Sequence, residues 1–136
     1  MSAKKQYVFP EECRYTESDE WVRVDSEGVR IGITDYAQNA LSDIVFVELP
    51  EVGSQLETGQ PFGVVESVKA VSDLIAPLSG EVVAVNGGLE DHPEWVNEDP
   101  HERGWIVLIR PEEVGVVDSL LTPEQYRKHV AERSKS

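Results

Sequence analysis

Lys69 is the residue most open to chemistry. Residues 11–122 hold six basic side chains, Arg14, Arg23, Arg30, Lys69, Arg103 and Arg110, so Lys69 is the only lysine in that span. An ammonium is a compact charge on a flexible stem, and its amine suits covalent modification in a way that a guanidinium does not. Only Val68 and Lys69 separate two strand-like runs, Phe62-Gly-Val-Val-Glu-Ser67 and Ala70-Val-Ser-Asp-Leu-Ile-Ala76. That spacing predicts a tight hairpin with the lysine at its tip. By residue type alone Lys69 would be a solvated turn residue, and it is the isolation together with the position that points to modification. Other groups offer less. His92, His101 and His129 lie on separate segments without metal-ligand spacing and are expected at the surface. Cys13, the single cysteine, permits neither a disulfide within the chain nor a thiolate cluster, and it reads as structural. Ser67 has no base near it in sequence, and G-x-S-x-G, P-loop and G-x-G-x-x-G patterns are missing. Carboxylates are so plentiful that no acid–base pair can be singled out from sequence. Nothing reads as an active site.

The elements that must position Lys69 follow from periodicity. Glu20 to Asp25 and Val29 to Ile33 alternate about a Ser26-Glu-Gly28 turn and predict a hairpin. Asp35, with Gln38 three residues on, predicts a capped short helix over Tyr36 to Leu41. Ile44 to Leu49 is β-branched and aromatic and stops at Pro50; Glu81 to Asn86 and Trp105 to Arg110 are further strands, with a turn at Gly87-Gly88 and one helical turn near Pro93 to Val96. Thr122-Pro-Glu-Gln125 combines an N-cap, proline at the first helical position and Gln at the third, opening a final helix to about Arg133. Pro50-Glu-Val-Gly53 and Pro77-Leu-Ser-Gly80 are the only hint of repetition. Six or seven short strands with turns between them predict a mainly-β sandwich or small barrel with peripheral helices.

At 136 residues and 40% hydrophobic, the chain is long enough to bury a core as one domain. It carries 26 acidic and 12 basic side chains, a net −14; the first ten residues and the last fourteen each hold a net +2, which leaves −18 on residues 11–122. Phosphate backbones and anionic membranes repel such a body, so partners are expected to be proteins with basic patches. Met1 to Gln6 is too short and polar for a signal peptide, and no apolar run approaches the ~20 residues of a membrane span. A cytoplasmic protein is expected.

Several ordered blocks then fall together: Tyr15-Thr to Glu20-Trp-Val, Ile31-Gly-Ile-Thr-Asp-Tyr-Ala-Gln38, Asp43-Ile-Val-Phe-Val-Glu-Leu-Pro50, the lysine hairpin over Val64 to Gly80, and Val96-Asn-Glu-Asp-Pro100 with Gly104-Trp105. With them the sequence resembles the H-protein of the glycine cleavage system, over residues 14 to about 130. The resemblance implies a mainly-β lipoyl/biotinyl-type barrel-sandwich hybrid, with an N-terminal extension over 1–13 and one carrier domain over 14–136 ending in a helix. It implies a non-catalytic carrier whose Lys69 is amide-linked to lipoic acid, with Glu66 read by the lipoylating enzyme. Ser18, Glu20 and Asp73 fall on the family's arm cleft, where carboxylates would hold the cationic amine of the loaded arm. The implied partners are glycine decarboxylase (P-protein), aminomethyltransferase (T-protein) and dihydrolipoamide dehydrogenase (L-protein), between which the carrier moves the aminomethyl group of glycine. Two places depart from the family pattern: Asp19 stands where His is usual, and His101-Glu-Arg103 replaces Tyr-Gly-x. They leave open an H-like lipoate carrier for another pathway, such as lipoyl relay or sulfur metabolism, or an unmodified binding module. A biotinyl domain would flank its lysine with methionines, where this chain has Val68 and Ala70.

The charge generates an expectation of its own. Association with protein partners should weaken as salt rises, mainly through a slower on-rate, as stopped-flow binding at low and high ionic strength would read directly.

Overall fold

The computed structural model describes residues 6–133. Among these, nine strands form two antiparallel sheets. The larger runs β1 (Arg14–Tyr15), β2 (Glu20–Asp25), β3 (Gly28–Ile33), β9 (Val107–Pro111), β8 (Gly80–Val85), β5 (Gln55–Leu56) in spatial order; the smaller runs β4 (Ile44–Glu48), β6 (Pro61–Ser67), β7 (Val71–Ile75). Three helices sit outside them: α1 (Asp35–Leu41), α2 (Trp95–Glu98) and α3 (Pro123–Arg133). This is the mainly-β architecture with peripheral helices and a C-terminal helix that the sequence predicts. No helix among the described residues is long and apolar enough to cross a membrane.

Both hairpins form where alternation places them. β2 and β3 pair from Glu20–Ile33 to Asp25–Gly28, and β6 and β7 pair from Pro61–Ile75 to Glu66–Val71. Val47, Val65 and Leu74 turn the inner face of the small sheet onto Val22, Ile31, Val82 and Ile109 of the large one, the main core. A second, aromatic core joins the ends of the chain. Tyr15 stacks on Tyr126 of α3 with ring centroids 4.7 Å apart, and Phe9 meets Tyr126 edge-on at 5.7 Å. Trp21 donates through Nε1 to the Pro100 carbonyl at 2.9 Å and lies flat against Gly32, where any Cβ would come within 2.7 Å of the indole. Cys13 is buried in this core, and burial pushes its thiol up to about 12.

Several local expectations need correction. Thr34, not Asp35, caps α1: its backbone is extended, and its hydroxyl accepts from the Ala37 N–H at 3.1 Å while pairing with the Tyr126 hydroxyl at 2.7 Å. Asp35 is instead the first helical residue, its carboxylate taken by the Val8 N–H and the Gln38 amide. The expected cap of α3 is present as a reciprocal pair, Thr122 N–H to Gln125 Oε1 and Gln125 N–H to Thr122 Oγ1. The Gly87-Gly88 turn continues as a 3-10 helix to Glu90, and a second 3-10 helix spans Val114–Ser119. The two P-x-x-G segments are not structural repeats, since Gly53 is a loop residue at φ 95° while Gly80 begins β8. His101 is not a surface histidine: it is 8% exposed, lies 6.0 Å from the Trp21 ring, and its Nε2 has no partner among the described residues.

Burial pulls the His101 imidazole down from 6.5 to about 4. The folded state therefore favours the neutral ring; the resulting stability is fully present above pH 6.5 and is lost as pH falls through about 4. At about 1.4 kcal/mol per pH unit the contribution is at most about 3.5 kcal/mol. Replacing His101 with Gln should flatten this part of the stability–pH curve, measured by denaturant unfolding at stepped pH.

Candidate functional site: a hairpin-tip lysine beside a cleft

The smaller sheet exists to end in a turn. β6 and β7 stop at Ser67 and restart at Val71, leaving Val68 and Lys69 exposed at the tip. The Ser67 N–H donates to the Ala70 carbonyl at 2.8 Å, and the Val68 N–H reaches across to the Asp43 carbonyl at 3.0 Å, fastening the tip to the link between α1 and β4. That link is itself held by Asn97 of α2, whose Oδ1 accepts from the Ile44 N–H at 2.8 Å and whose amide donates to the Ser42 carbonyl and to Gln38. Lys69 Nζ donates to the Ala40 carbonyl at 3.0 Å. Ala40 lies in the last turn of α1, where carbonyls lack helical partners and the helix dipole favours a cation.

Ala40 also lines a cleft of about 140 Å³ between α1 and the small sheet. Ile33, Ala37, Leu41, Val65 and Leu74 give it an apolar wall; Ser18, Asp19, Glu20, Ser72 and Asp73 give it a polar end. The three cleft candidates are thus brought onto one cavity, but they are not equivalent. Glu20 is 2% exposed. Its Oε1 accepts from the Thr16 hydroxyl at 2.6 Å and the Ser18 hydroxyl at 2.5 Å, and its Oε2 accepts from the Ile75 N–H at 3.1 Å. Burial raises its pKa against those three donors. Glu20 is part of the wall, a clamp between β2 and β7. Asp73 is exposed and pairs with Val64, on the face opposite Val65 and Ser72, so it meets the cleft at its rim.

Glu66 lies on that same outer face. The registers align Phe46, Glu66 and Val71 in one row across the small sheet and Glu48, Val64 and Asp73 in the next, alternating acid with apolar. Phe46 and Val71 are exposed, Val71 at 68%.

Two positions complete the site, one marked in the sequence only as a departure from the family pattern and one not singled out there. Asp19, with φ 76°, takes a bidentate pair from Arg133 of α3 at 2.6 and 3.0 Å and a bond from the Tyr126 hydroxyl at 2.9 Å. Asn97 is the other, and its place in the quoted Val96-Asn-Glu-Asp-Pro100 block was the only signal. Among the described residues no group of three or more His, Cys, Asp or Glu could hold a metal ion.

The site is thus a lysine on a hairpin tip, outside a two-sheet β fold and above a cleft. The family model described as "Glycine cleavage H-protein" matches residues 13–133. Similar chains include the glycine cleavage system H proteins of Geobacillus kaustophilus, 58% identical over 123 residues (90% of this chain, 97% of that one), and of Bacillus subtilis, 50% identical over 123 residues with the same coverage. The crystal structure of a glycine cleavage system H protein from Mycobacterium marinum superposes with a TM-score of 0.79 at 40% identity, covering 92% of this chain and 98% of that one. The chain belongs to the glycine cleavage H-protein family, whose members are carrier subunits and not enzymes.

Glu20 provides the test of this architecture. Glu20→Ala leaves the Ile75 N–H and two hydroxyls without an acceptor and should cost about 1–3 kcal/mol in denaturant unfolding. Glu20→Gln keeps an acceptor for Ile75, and the two hydroxyls can rotate to accept from its amide, so it should stay within about 1 kcal/mol at neutral pH. Because burial raises its folded pKa above 4.5, the wild-type carboxyl contributes most below that pH and loses the contribution as pH rises; Gln removes that dependence.

Proposed function

We propose that this protein is the lipoyl carrier of a glycine cleavage system, with lipoic acid amide-linked to Lys69. The observation that carries the reading is the Lys69 amine, held at a hairpin tip and lying at the mouth of a cleft through its bond to Ala40. The residues fit the group: an accessible primary amine is available for the amide, and an apolar wall running to a polar end suits an alkyl arm with a cationic cargo. Held there by the Lys69 amine, the group would supply a dithiolane disulfide able to take up the aminomethyl group of glycine.

The chain's own residues do the rest. The β6–β7 hairpin holds the attachment point away from the barrel wall, and tethering raises the arm's effective concentration at each partner's site. Ser18, Glu20 and Asp73 form the polar end of the cleft, with Glu20 fixing the wall and Asp73 the exposed carboxylate at its rim. Glu66, central on the outer face next to the tip, is read by the lipoylating enzyme. Glycine decarboxylase, aminomethyltransferase and dihydrolipoamide dehydrogenase are the partners, met through the acidic surface. Residues 14–136 act as the carrier unit, residues 1–13 as an N-terminal extension, and the protein works in the cytoplasm.

Peptide mapping of protein from its own host should find one lipoyl group on Lys69 and none on Lys4, Lys5, Lys128 or Lys135; lipoate on another lysine, or biotin on Lys69, overturns the assignment. Lys69→Arg should unfold within about 0.5 kcal/mol of wild type, as an exposed turn substitution does, yet support no glycine cleavage in the reconstituted system. Retained turnover would refute the reading.

A further inference from the structure

Ser67 is absorbed by neither the cleft nor the outer face, and it makes more hydrogen bonds around Lys69 than any other side chain. Its Oγ accepts from the Lys69 N–H at 3.1 Å and from the Ala70 N–H at 2.9 Å, and it donates to the Ala70 carbonyl at 3.2 Å. In a two-residue turn the fourth residue's N–H ordinarily bonds to the first residue's carbonyl. Here the Ala70 N–H goes to the Ser67 hydroxyl, and the same oxygen also takes the N–H of the lysine itself. The backbone bond from the Ser67 N–H to the Ala70 carbonyl closes one half of the turn, and the Ser67 hydroxyl takes the place of its carbonyl in the other half.

We propose that Ser67 is a positioning residue for acylation of Lys69: its hydroxyl fixes the backbone on both sides of the lysine side chain, so that the amine leaves the tip in one direction. This rests on the reading of Lys69 as the lipoyl attachment point. In the acylation step the neutral Nζ attacks the carbonyl carbon of a lipoyl acyl adenylate; the C–N bond forms, the bond from carbon to phosphate oxygen breaks, AMP leaves with the electron pair, and the amine releases a proton to solvent. Ser67 touches none of these atoms. It acts by removing backbone freedom at the tip, which otherwise has to be lost when the acylating enzyme binds. Because the Lys69 and Ala70 amides are at the surface, water can replace the hydroxyl without a large cost to global stability, which separates this role from a structural one.

The experiment compares wild type, Ser67→Ala and Ser67→Thr in two measurements on the full chain. Solvent-exchange NMR reads the Lys69 and Ala70 amides, and an ATP-dependent lipoate ligase with free lipoate reads kcat/KM for acylation. Ser67→Ala should raise exchange at both amides and lower kcat/KM, each roughly tenfold, the order expected for two lost hydrogen bonds, with an unchanged melting temperature. Ser67→Thr, which keeps the hydroxyl, should restore both. Unchanged exchange in Ser67→Ala would show that the hydroxyl does not hold the turn, and faster exchange with unchanged kcat/KM would show that a held turn is not what the enzyme needs; either overturns the proposal. Failure of the wild type to be acylated at Lys69 would show instead that the carrier reading is wrong, and the role of Ser67 would fall with it.

Discussion

The three-stranded sheet is tied to the six-stranded one, beside their shared core, by a carboxylate that is almost out of water. Glu20 belongs to β2 and its Oε2 accepts from Ile75 at the end of β7, while its other oxygen is held by Thr16 and Ser18. A buried charge is costly unless donors surround it, and three donors do so here. Everything on the small sheet is measured from that fixed end: β7 starts at the tip, runs past the cleft and terminates at Glu20. Lys69 therefore projects from a hairpin anchored at its base by Glu20 and near its tip by the Val68–Asp43 bond.

Charge is arranged on this frame in two ways. In the cleft a carboxylate is used up by internal hydrogen bonds, whereas on the outer face Glu48, Glu66 and Asp73 alternate with Phe46, Val64 and Val71. The first arrangement shapes a wall. The second offers separated acids on an otherwise apolar surface, where a partner's cations can reach each carboxylate while its apolar side chains fill the gaps. On a body of −18, that face adds geometric selectivity to what would otherwise be general attraction.

What could be read from the sequence was what local rules decide. The β6–β7 hairpin is visible because two apolar runs lie two residues apart, and the α3 cap because Thr122 and Gln125 satisfy each other within one turn. The features that escaped depend on partners far away along the chain. β1 and β5 are two residues each, too short to show a period, and exist because β2 and β8 pair with them. Thr34 and Asp35 are both capping types, and the choice was made by Tyr126, which bonds Thr34 from α3. His101 looked like a surface histidine until Trp21 covered it. Glu20 and Asp73 are alike as acids in the sequence; burial with three donors makes one a clamp, and strand register puts the other at the rim.

Burial of Cys13 bears on the protein's own sulfur chemistry. With its thiol pushed up to about 12, only about one molecule in 10⁵ would carry a thiolate there at neutral pH, and the thiolate is the species that attacks disulfides. A strained cyclic disulfide tethered at Lys69 would thus find no competent nucleophile in its own carrier. Mixed-disulfide formation with its own chain would be suppressed from within the fold, and once reduced such an arm would be left to exchange its thiols with a disulfide offered by a partner.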